Sequence, residues 1–337
     1  MGLEKVIKCI KENKRFLITT HINPEGDAIG SEIALALILK KLGKSVVVCN
    51  TDPVPRNLQF LPYSKKIKQA KEINNRFDAM FVLDCGSKDR VGLFKNGAMP
   101  SPPPIVNIDH HITNEKFGYI NYIDAKATAT GDIIYRLAKA LKIKIDKNIA
   151  TAIYTTLLTE TGSFRYSNTN SAVLRVSAEL IDTGLNPWWI GKQIYETNTF
   201  HRLKLLGMLL DEMEIDSTGK IAWVTVTSAH YAATNTTVED VEDFINFPRS
   251  VKGVEVAILF RESKEDLYKI SFRSRGTIDV TRLALKFGGG GHKYAAGCTV
   301  NGSLNEVKEK VVQAAADEIK RVVSKRQKAG VAMSPIA

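Results

Sequence analysis

Through the first half of this chain, short apolar runs alternate with stretches whose apolar residues recur at helical spacing, and that alternation constrains the fold most. Residues 15–20 (RFLITT), 45–50 (SVVVCN), 78–83 (DAMFVL) and 105–108 (IVNI) are short apolar runs, several of them β-branched, and read as buried strands. Residues 28–42, 130–141 and 147–158 instead carry apolar side chains at the spacing of one helix face. The proline-rich MPSPPP before Ile105 is expected to be loop. Strands alternating with helices predict an α/β fold, a mainly parallel sheet covered on both faces.

A chain of 337 residues has room for two such domains. The pattern changes near residues 184–202, where a Gly-Leu-Asn-Pro break precedes Trp188, Trp189 and a helical stretch through Leu210. The expected organisation is a first domain over 1–183, a helical connector over 184–212 and a smaller α/β domain over 213–325. A flexible tail is expected over 326–337. In the second domain, strands are expected at 220–227, 254–261 and 268–273, with helices near 238–246, 279–287 and 303–324. The two tryptophans are expected to pack into the connector.

Composition excludes some classes. Apolar residues make up 44% and charged residues 25%, an ordinary globular balance that argues against disorder. No apolar run approaches the roughly 18 residues that span a bilayer, and the charged N-terminal stretch lacks a signal peptide's apolar core. Four scattered cysteines without a CxxC pair fit a reducing cytoplasm. The net charge of +11 favours anionic ligands in a general way, since the excess is spread along the chain.

The chemistry lies where acids and histidines fall relative to the strands. The first run leads into His21-Ile-Asn-Pro-Glu25-Gly-Asp27, the 78–83 run into Asp84, and the 105–108 run into Asp109-His110-His111. Ligands of an open parallel sheet bind beyond the carboxyl ends of its strands, so three strands deliver imidazoles and carboxylates to one edge. Taken singly, Asp27 reads equally well as a helix cap and Asp84 as a turn residue. Together they form a mixed donor set suited to Mn²⁺, with Mg²⁺, Co²⁺ or Zn²⁺ as alternatives.

These motifs resemble those of the DHH phosphoesterase superfamily. His21-x-x-Pro24-Glu25-Gly26-Asp27-Ala28-x-Gly30-Ser31 is similar to its first motif, which usually has Asp where Glu25 stands. Val82-Leu83-Asp84-Cys85 is similar to the second, Asp109-His110-His111 to the third, and the segment from Leu158 to Tyr166 to the fourth, with Glu160 again in place of Asp. The resemblance implies two divalent cations, one on His21, Glu25 and Asp84, the other on Asp27, Asp84, His110 and Glu160, with Asp84 shared. It implies further that His111 faces the substrate phosphate and that Asp109 orients the site or takes part in proton transfer. Cys85 is expected to be a packed residue, and Arg165 a modest candidate for phosphate contact.

In the second half, Arg273-Ser274-Arg275 ends an expected strand, and a run of four glycines into His292 precedes Ala295-Ala296-Gly297. Successive glycines let backbone N–H groups approach an anion. The pattern resembles the substrate-binding motif of the DHH-associated domain, which makes Arg273, Ser274, Arg275, Gly289, Gly290, Gly291 and His292 the candidate substrate contacts. The layout most resembles enzymes that degrade very short oligonucleotides, nanoRNA or dinucleotides, to mononucleotides and dephosphorylate 3′-phosphoadenosine 5′-phosphate. The implied reaction is attack on phosphorus by water activated at the metals. The alternatives are a cyclic-dinucleotide phosphodiesterase and a nucleotide-binding sensor with a weakened site. Expected partners are short RNA or DNA oligonucleotides or nucleotides, with no membrane; a homodimer is compatible with this reading.

Overall fold

Six strands of the first half lie side by side in one sheet: β1 (Arg15–Thr19), β2 (Ser45–Asn50), β3 (Lys68–Gln69), β4 (Ala79–Leu83), β5 (Ile105–Asp109) and β6 (Ile120–Ile123). Their order is β3-β2-β1-β4-β5-β6 and every pairing is parallel. The structure is a computed structural model describing residues 2–70, 76–95, 99, 101–241 and 243–328. Contacts divide the chain into two compact units, Met1–Thr197 and Asn198–Ala337.

In the first unit β4 is buried at every position, as its unbroken apolar run requires for a central parallel strand. The order reverses between β1 and β4, a switch point at which the connections after the two strands diverge and leave a crevice. The helices of this unit are α1 (Gly2–Glu12), α2 (Gly26–Lys41), α3 (Gly92–Lys95), α4 (Thr130–Ala140), α5 (Lys147–Glu160), α6 (Ser171–Ile181) and α7 (Pro187–Tyr195). The helix α2 is buried on nearly all sides, which explains why its sequence is apolar all round and not amphipathic.

Two glycines let three helices meet. A Cβ on Gly30 of α2 would lie 2.5 Å from Thr156 Cγ2 of α5, and one on Gly131 of α4 would lie 1.8 Å from Thr156 Oγ1. Only residues without a side chain permit that approach. It draws the C-terminal end of α5 towards the start of α2.

The second unit holds β7 (Glu214–Ile215), β8 (Ile221–Val226), β9 (Val256–Lys264), β10 (Leu267–Ser274), β11 (Gly290–His292) and β12 (Ala295–Asn301), in the order β11-β12-β10-β9-β8-β7. The β8–β9 pair is parallel and the others are antiparallel. Its helices are α8 (Phe200–Asp211), α9 (Ser228–Thr234), α10 (Asn246–Ser250), α11 (Thr281–Lys286) and α12 (Leu304–Lys328). Alternation along β9 sends Val256, Ile258 and Phe260 into a core with Val307 and Val311 of α12, and Ala257 and Leu259 into a core with Leu205 and Leu209 of α8.

The α/β class expected from the sequence is the class observed, and several details differ. The stretch 184–212 is two helices that belong to different units: Ile190 and Ile194 of α7 join the first core, Leu205 and Leu209 of α8 a core of the second. The expected helix over 238–246 is a 3₁₀ turn at Val238–Val241 followed separately by α10, because Asp243 adopts φ 68 and breaks the run. In the four-glycine run, Gly290 and Gly291 pair with Gly297 and Ala296 in an edge strand that the sequence did not mark. The last helix continues to Lys328, and residues 329–337 of the expected tail lie outside the described residues. No helix among the described residues is long and apolar enough to cross a membrane.

Candidate metal centre

The donors converge at the switch point. His21 follows β1 and is held by a bridge to Val91, with the Ile22 N–H donating to the Arg90 carbonyl at 2.9 Å. Glu25 stands just before α2 without a side-chain cap bond, and Asp27 sits in the first turn of that helix. Asp84 follows β4 at φ 53, a left-handed conformation that Asp tolerates better than most residues. Asp109 is the last residue of β5, and Glu160 the last of α5.

Three overlapping groups of donor atoms result: His21, Glu25 and Asp84; Asp27, His110 and Glu160; Asp84, His110 and His111. The two oxygens of Asp84 face different histidines, Oδ2 lying 3.8 Å from His21 Nε2 and Oδ1 3.6 Å from His110 Nε2. His110 Nε2 also lies 3.6 Å from Asp27 Oδ2 and 3.9 Å from Glu160 Oε1, and His21 Nε2 lies 4.0 Å from Glu25 Oε1. Both glutamates therefore reach the donor groups despite their extra methylene.

The surrounding hydrogen bonds fix which face each donor presents. His21 Nδ1 lies 2.8 Å from the Ile22 carbonyl and 3.2 Å from Arg90 Nη2, contacts that occupy Nδ1 and leave Nε2 as the atom facing the donor groups. Asp27 does not cap its own helix. It accepts from the Thr130 and Gly131 N–H groups at 2.7 and 3.0 Å, the start of α4, and from the Ser31 hydroxyl at 3.1 Å. The Thr130 hydroxyl donates to Asp84 Oδ1 at 3.0 Å. His111 Nδ1 donates to Asp109 Oδ1 at 2.7 Å, and Asn114 Nδ2 donates to Asp109 Oδ2 at 2.6 Å. Asn114 and Asn107 also tie the turn after β4 to this network through the Cys85 carbonyl.

The electrostatics of the cluster favour bound cations. Burial and the charges of Asp84 and Glu160 push Asp27 well above the usual carboxylate range. Glu160 is pushed up to about 8 by burial and by the charges of Asp84 and Glu25. Asp84 is held low although burial opposes ionisation, because the imidazoles of His21, His111 and His110 surround it. Burial works against a charged His111, yet its bond to Asp109 and the Asp84 charge carry it to about 9. Carboxylates crowded this closely repel one another, and cations of higher charge than an imidazolium relieve that repulsion. The residues therefore fit divalent metals by donor type and by charge. Burial pushes the Cys85 thiol up to about 12, so it is an inert packed residue. Arg165 Nε donates to the Gly162 carbonyl at 2.8 Å and shapes the turn after Glu160.

The sequence did not mark Thr130, Gly131, Asn107 or Asn114. Asn107 and Asn114 flank the Asp-His-His triplet, and that proximity was the available signal. Thr130 and Gly131 had none, because a helix start 103 and 104 residues from Asp27 is brought there only by the fold.

The second-half candidates lie together in the second unit. Arg273 and Ser274 end β10, and the glycines lie against β12. Ser274 is buried and its hydroxyl accepts from the Gly276 and Ile278 N–H groups at 3.1 and 3.2 Å, so it closes the turn. A Cβ at Gly289 would stand 2.2 Å from the Gly297 carbonyl oxygen, which accounts for glycine there by close approach.

Comparison with known proteins agrees with this geometry. Residues 15–157 match the model of the DHH family, N-terminal domain, and residues 224–325 match the DHHA1 domain. The chain is 35% identical to the bifunctional oligoribonuclease and PAP phosphatase NrnA of Thermus thermophilus, covering 90% of each chain. It is 26% identical to the protein of the same name from Bacillus subtilis, covering 88% of this chain and 92% of that one. A crystal structure of an exopolyphosphatase-related protein from Bacteroides fragilis superposes with a TM-score of 0.85 at 27% identity, covering 97% of this chain and 96% of that one. This chain belongs to the DHH family and carries a DHHA1 domain in its second half.

Proposed function

We propose that this chain is a hydrolase that uses two divalent cations, Mn²⁺ by preference, to cleave very short oligonucleotides to mononucleotides. Nanoribonucleotides and dinucleotides are its substrates, together with the 3′-phosphate of 3′-phosphoadenosine 5′-phosphate. The observation that carries this reading is Asp84, whose two carboxylate oxygens face two different histidines and so serve two donor groups at once. The substrate class rests on the relatives named as oligoribonucleases and PAP phosphatases.

His21, Glu25 and Asp84 would hold one cation, and Asp27, Asp84, His110 and Glu160 the other. When bound, the pair supplies Lewis acidity for water and charge neutralisation for a phosphate ester. The chain's own part is positioning. The start of α4 and Ser31 aim Asp27, Thr130 aims Asp84, and the Ile22 carbonyl fixes the ring of His21. Asp109 holds His111 through Nδ1, which favours the imidazolium and makes His111 a charge-assisted donor to a phosphate oxygen. Through the same bond Asp109 would orient the site or take part in proton transfer at the departing ester oxygen. In the second unit, Arg273, Arg275 and the 289–292 segment would hold the remainder of the nucleotide.

Glu25 and Glu160 both lie within the donor groups, which favours an enzyme over a weakened sensor. Four buried free cysteines fit the reducing cytoplasm. The test incubates the protein with Mn²⁺ and end-labelled di- to hexanucleotides, and in parallel with 3′-phosphoadenosine 5′-phosphate. Mononucleotides should accumulate at rates that fall with chain length. Full turnover in excess chelator, or equal rates on dinucleotides and long strands, would overturn the reading.

A further inference from the structure

A second pocket opens at the other end of α5. It has a volume of about 400 Å³ and its walls include Phe60, Pro62, Lys147, Asn148, Asn186 and Trp189. That size falls within the roughly 300–1,000 Å³ of small-molecule sites. Lys147 begins α5 and Glu160 ends it, so at about 1.5 Å per residue the pocket stands on the order of 20 Å from the metal centre. None of its lining residues belongs to that centre.

We propose that this pocket binds a nucleotide, its base against Trp189 and Phe60 and its phosphate at Lys147. Trp189 meets Phe60 edge-on, centroids 5.2 Å apart at 88°, and keeps 41% of its surface exposed. An indole held by a perpendicular ring contact, lining the cavity and partly exposed, is a stacking platform for a flat heteroaromatic ring. Its position is built in. The Asn186 side chain accepts from the Trp189 N–H at 3.0 Å, and Pro187 starts α7 with its backbone preset.

The polar rim matches the remainder of the ligand. The Asn186 oxygen is engaged in this cap, which turns its amide nitrogen into the available donor, and Asn148 adds a second amide. Amides pair with the edges of a base. Among the described residues nothing pairs with the Lys147 ammonium. The neighbouring Asp146 carboxylate is held by Lys41 at 2.8 Å and by the Ile149 N–H at 3.0 Å, so its charge is answered elsewhere. A cation beside an aromatic wall selects an anionic group attached to a planar ring, the chemistry of a nucleoside monophosphate.

The inference stands on this cavity and is independent of the reading of the metal centre. Its test uses Trp189 as reporter in a Trp188→Phe, Trp223→Phe protein titrated with adenosine 5′-monophosphate, adenosine and inorganic phosphate separately. The monophosphate should quench Trp189 fluorescence saturably, and adenosine should do so at least tenfold more weakly. Lys147→Glu should weaken the monophosphate at least tenfold and leave the adenosine titration unchanged, with Lys147→Gln intermediate. Adding Asp84→Asn should not alter the quenching. Absent or non-saturable quenching, indifference to Lys147→Glu, or loss of the signal with Asp84→Asn would each overturn the proposal. Matching circular dichroism spectra verify that the exposed Lys147 variants are folded.

Discussion

The two units finish their sheets in opposite ways. In the first, strands end in buried carboxylates and imidazoles whose hydrogen bonds leave the remaining lone pairs aimed at common points. In the second, β10 ends in Ser274, spent on closing a turn, and Gly291 of β11 is pressed against β12. A parallel sheet with a switch point creates a crevice that can be lined by costly buried charge. An antiparallel edge offers backbone and exposed side chains at little cost. The first arrangement suits chemistry and the second suits contact with a substrate.

The sharpest way to break that comparison is Asp84→Asn. Shared between two donor groups, Asp84 should be worth at least about 10³-fold in turnover. Added Mn²⁺ should raise the thermal midpoint of the parent protein by linkage and should do so far less in the variant. An undiminished rate would show that the strand ends of the first unit are not the reaction centre.

Next in size is Gly131→Ala. A methyl group 1.8 Å from Thr156 Oγ1 cannot be accommodated without moving α4 or α5, so a loss of roughly 1–3 kcal/mol is expected. Metal affinity should fall too, because the Gly131 N–H holds Asp27. The contrast is Gly207 within α8, where an added Cβ meets nothing within 4 Å. There Gly207→Ala should stabilise by about 0.5–1 kcal/mol through helix propensity alone. Chemical denaturation of both variants checks the pair, and equal signs would contradict the close packing of the three helices.

That contrast also explains how far the sequence could be read. His21, Asp84 and Asp109 were legible because an apolar run stops and a ligand type begins at the same place. The main strands and helices were legible from their periods. The supports were not. Gly131 looks like any helix glycine until α5 is placed against it, and Asp27 looks like a cap until α4 arrives. The two-residue β3 and the INYI of β6 carry too little pattern to stand out. After the break at residues 184–187 the segment reads as one helical stretch through Leu210, and only the cores that bury Ile190 and Leu205 assign its halves to different units. The glycine run has low strand propensity and pairs because β12 lies beside it.

A smaller effect belongs to the second unit. Arg273→Ala and Arg275→Ala should raise KM for a dinucleotide about tenfold each, the order expected for one charge-assisted contact, with kcat and metal content little changed. A fall in kcat with KM unchanged would move these residues from contact to chemistry and erase the division between the units.

A pH-dependent effect separates two buried glutamates, one in each unit and both outside the proposed ligand set. Glu318 is bonded by Arg321 at 2.8 and 2.5 Å and approached by Arg282 at 3.3 Å, and the bond to Arg321 holds its pKa low. Glu32 accepts from Asn50 Nδ2 at 2.8 Å, and its other oxygen is buried without a hydrogen-bond partner. Burial, which the Asn50 bond only partly offsets, pushes Glu32 from 4.5 up to about 8. Its folded value exceeds its unfolded one, so the folded state keeps a proton that the unfolded chain gives up. That stability is fully present below the unfolded value and is lost as pH rises towards and beyond 8. Glu318 has the opposite sign, with stability present above the unfolded carboxylate value and lost as pH falls through its lower folded one. Glu32→Gln keeps an acceptor for Asn50 and removes the ionisation. It should therefore stabilise the protein at pH 8 relative to pH 5 by on the order of 1–3 kcal/mol. Glu318→Gln should destabilise at pH 8 and lose less at low pH, where the parent's own advantage fades. Thermal unfolding of the three proteins at pH 3, pH 5 and pH 8, in chelator, reads the signs directly. If Glu32→Gln shifts stability equally at pH 5 and pH 8, Glu32 does not titrate in this window and its burial carries no pH-dependent cost.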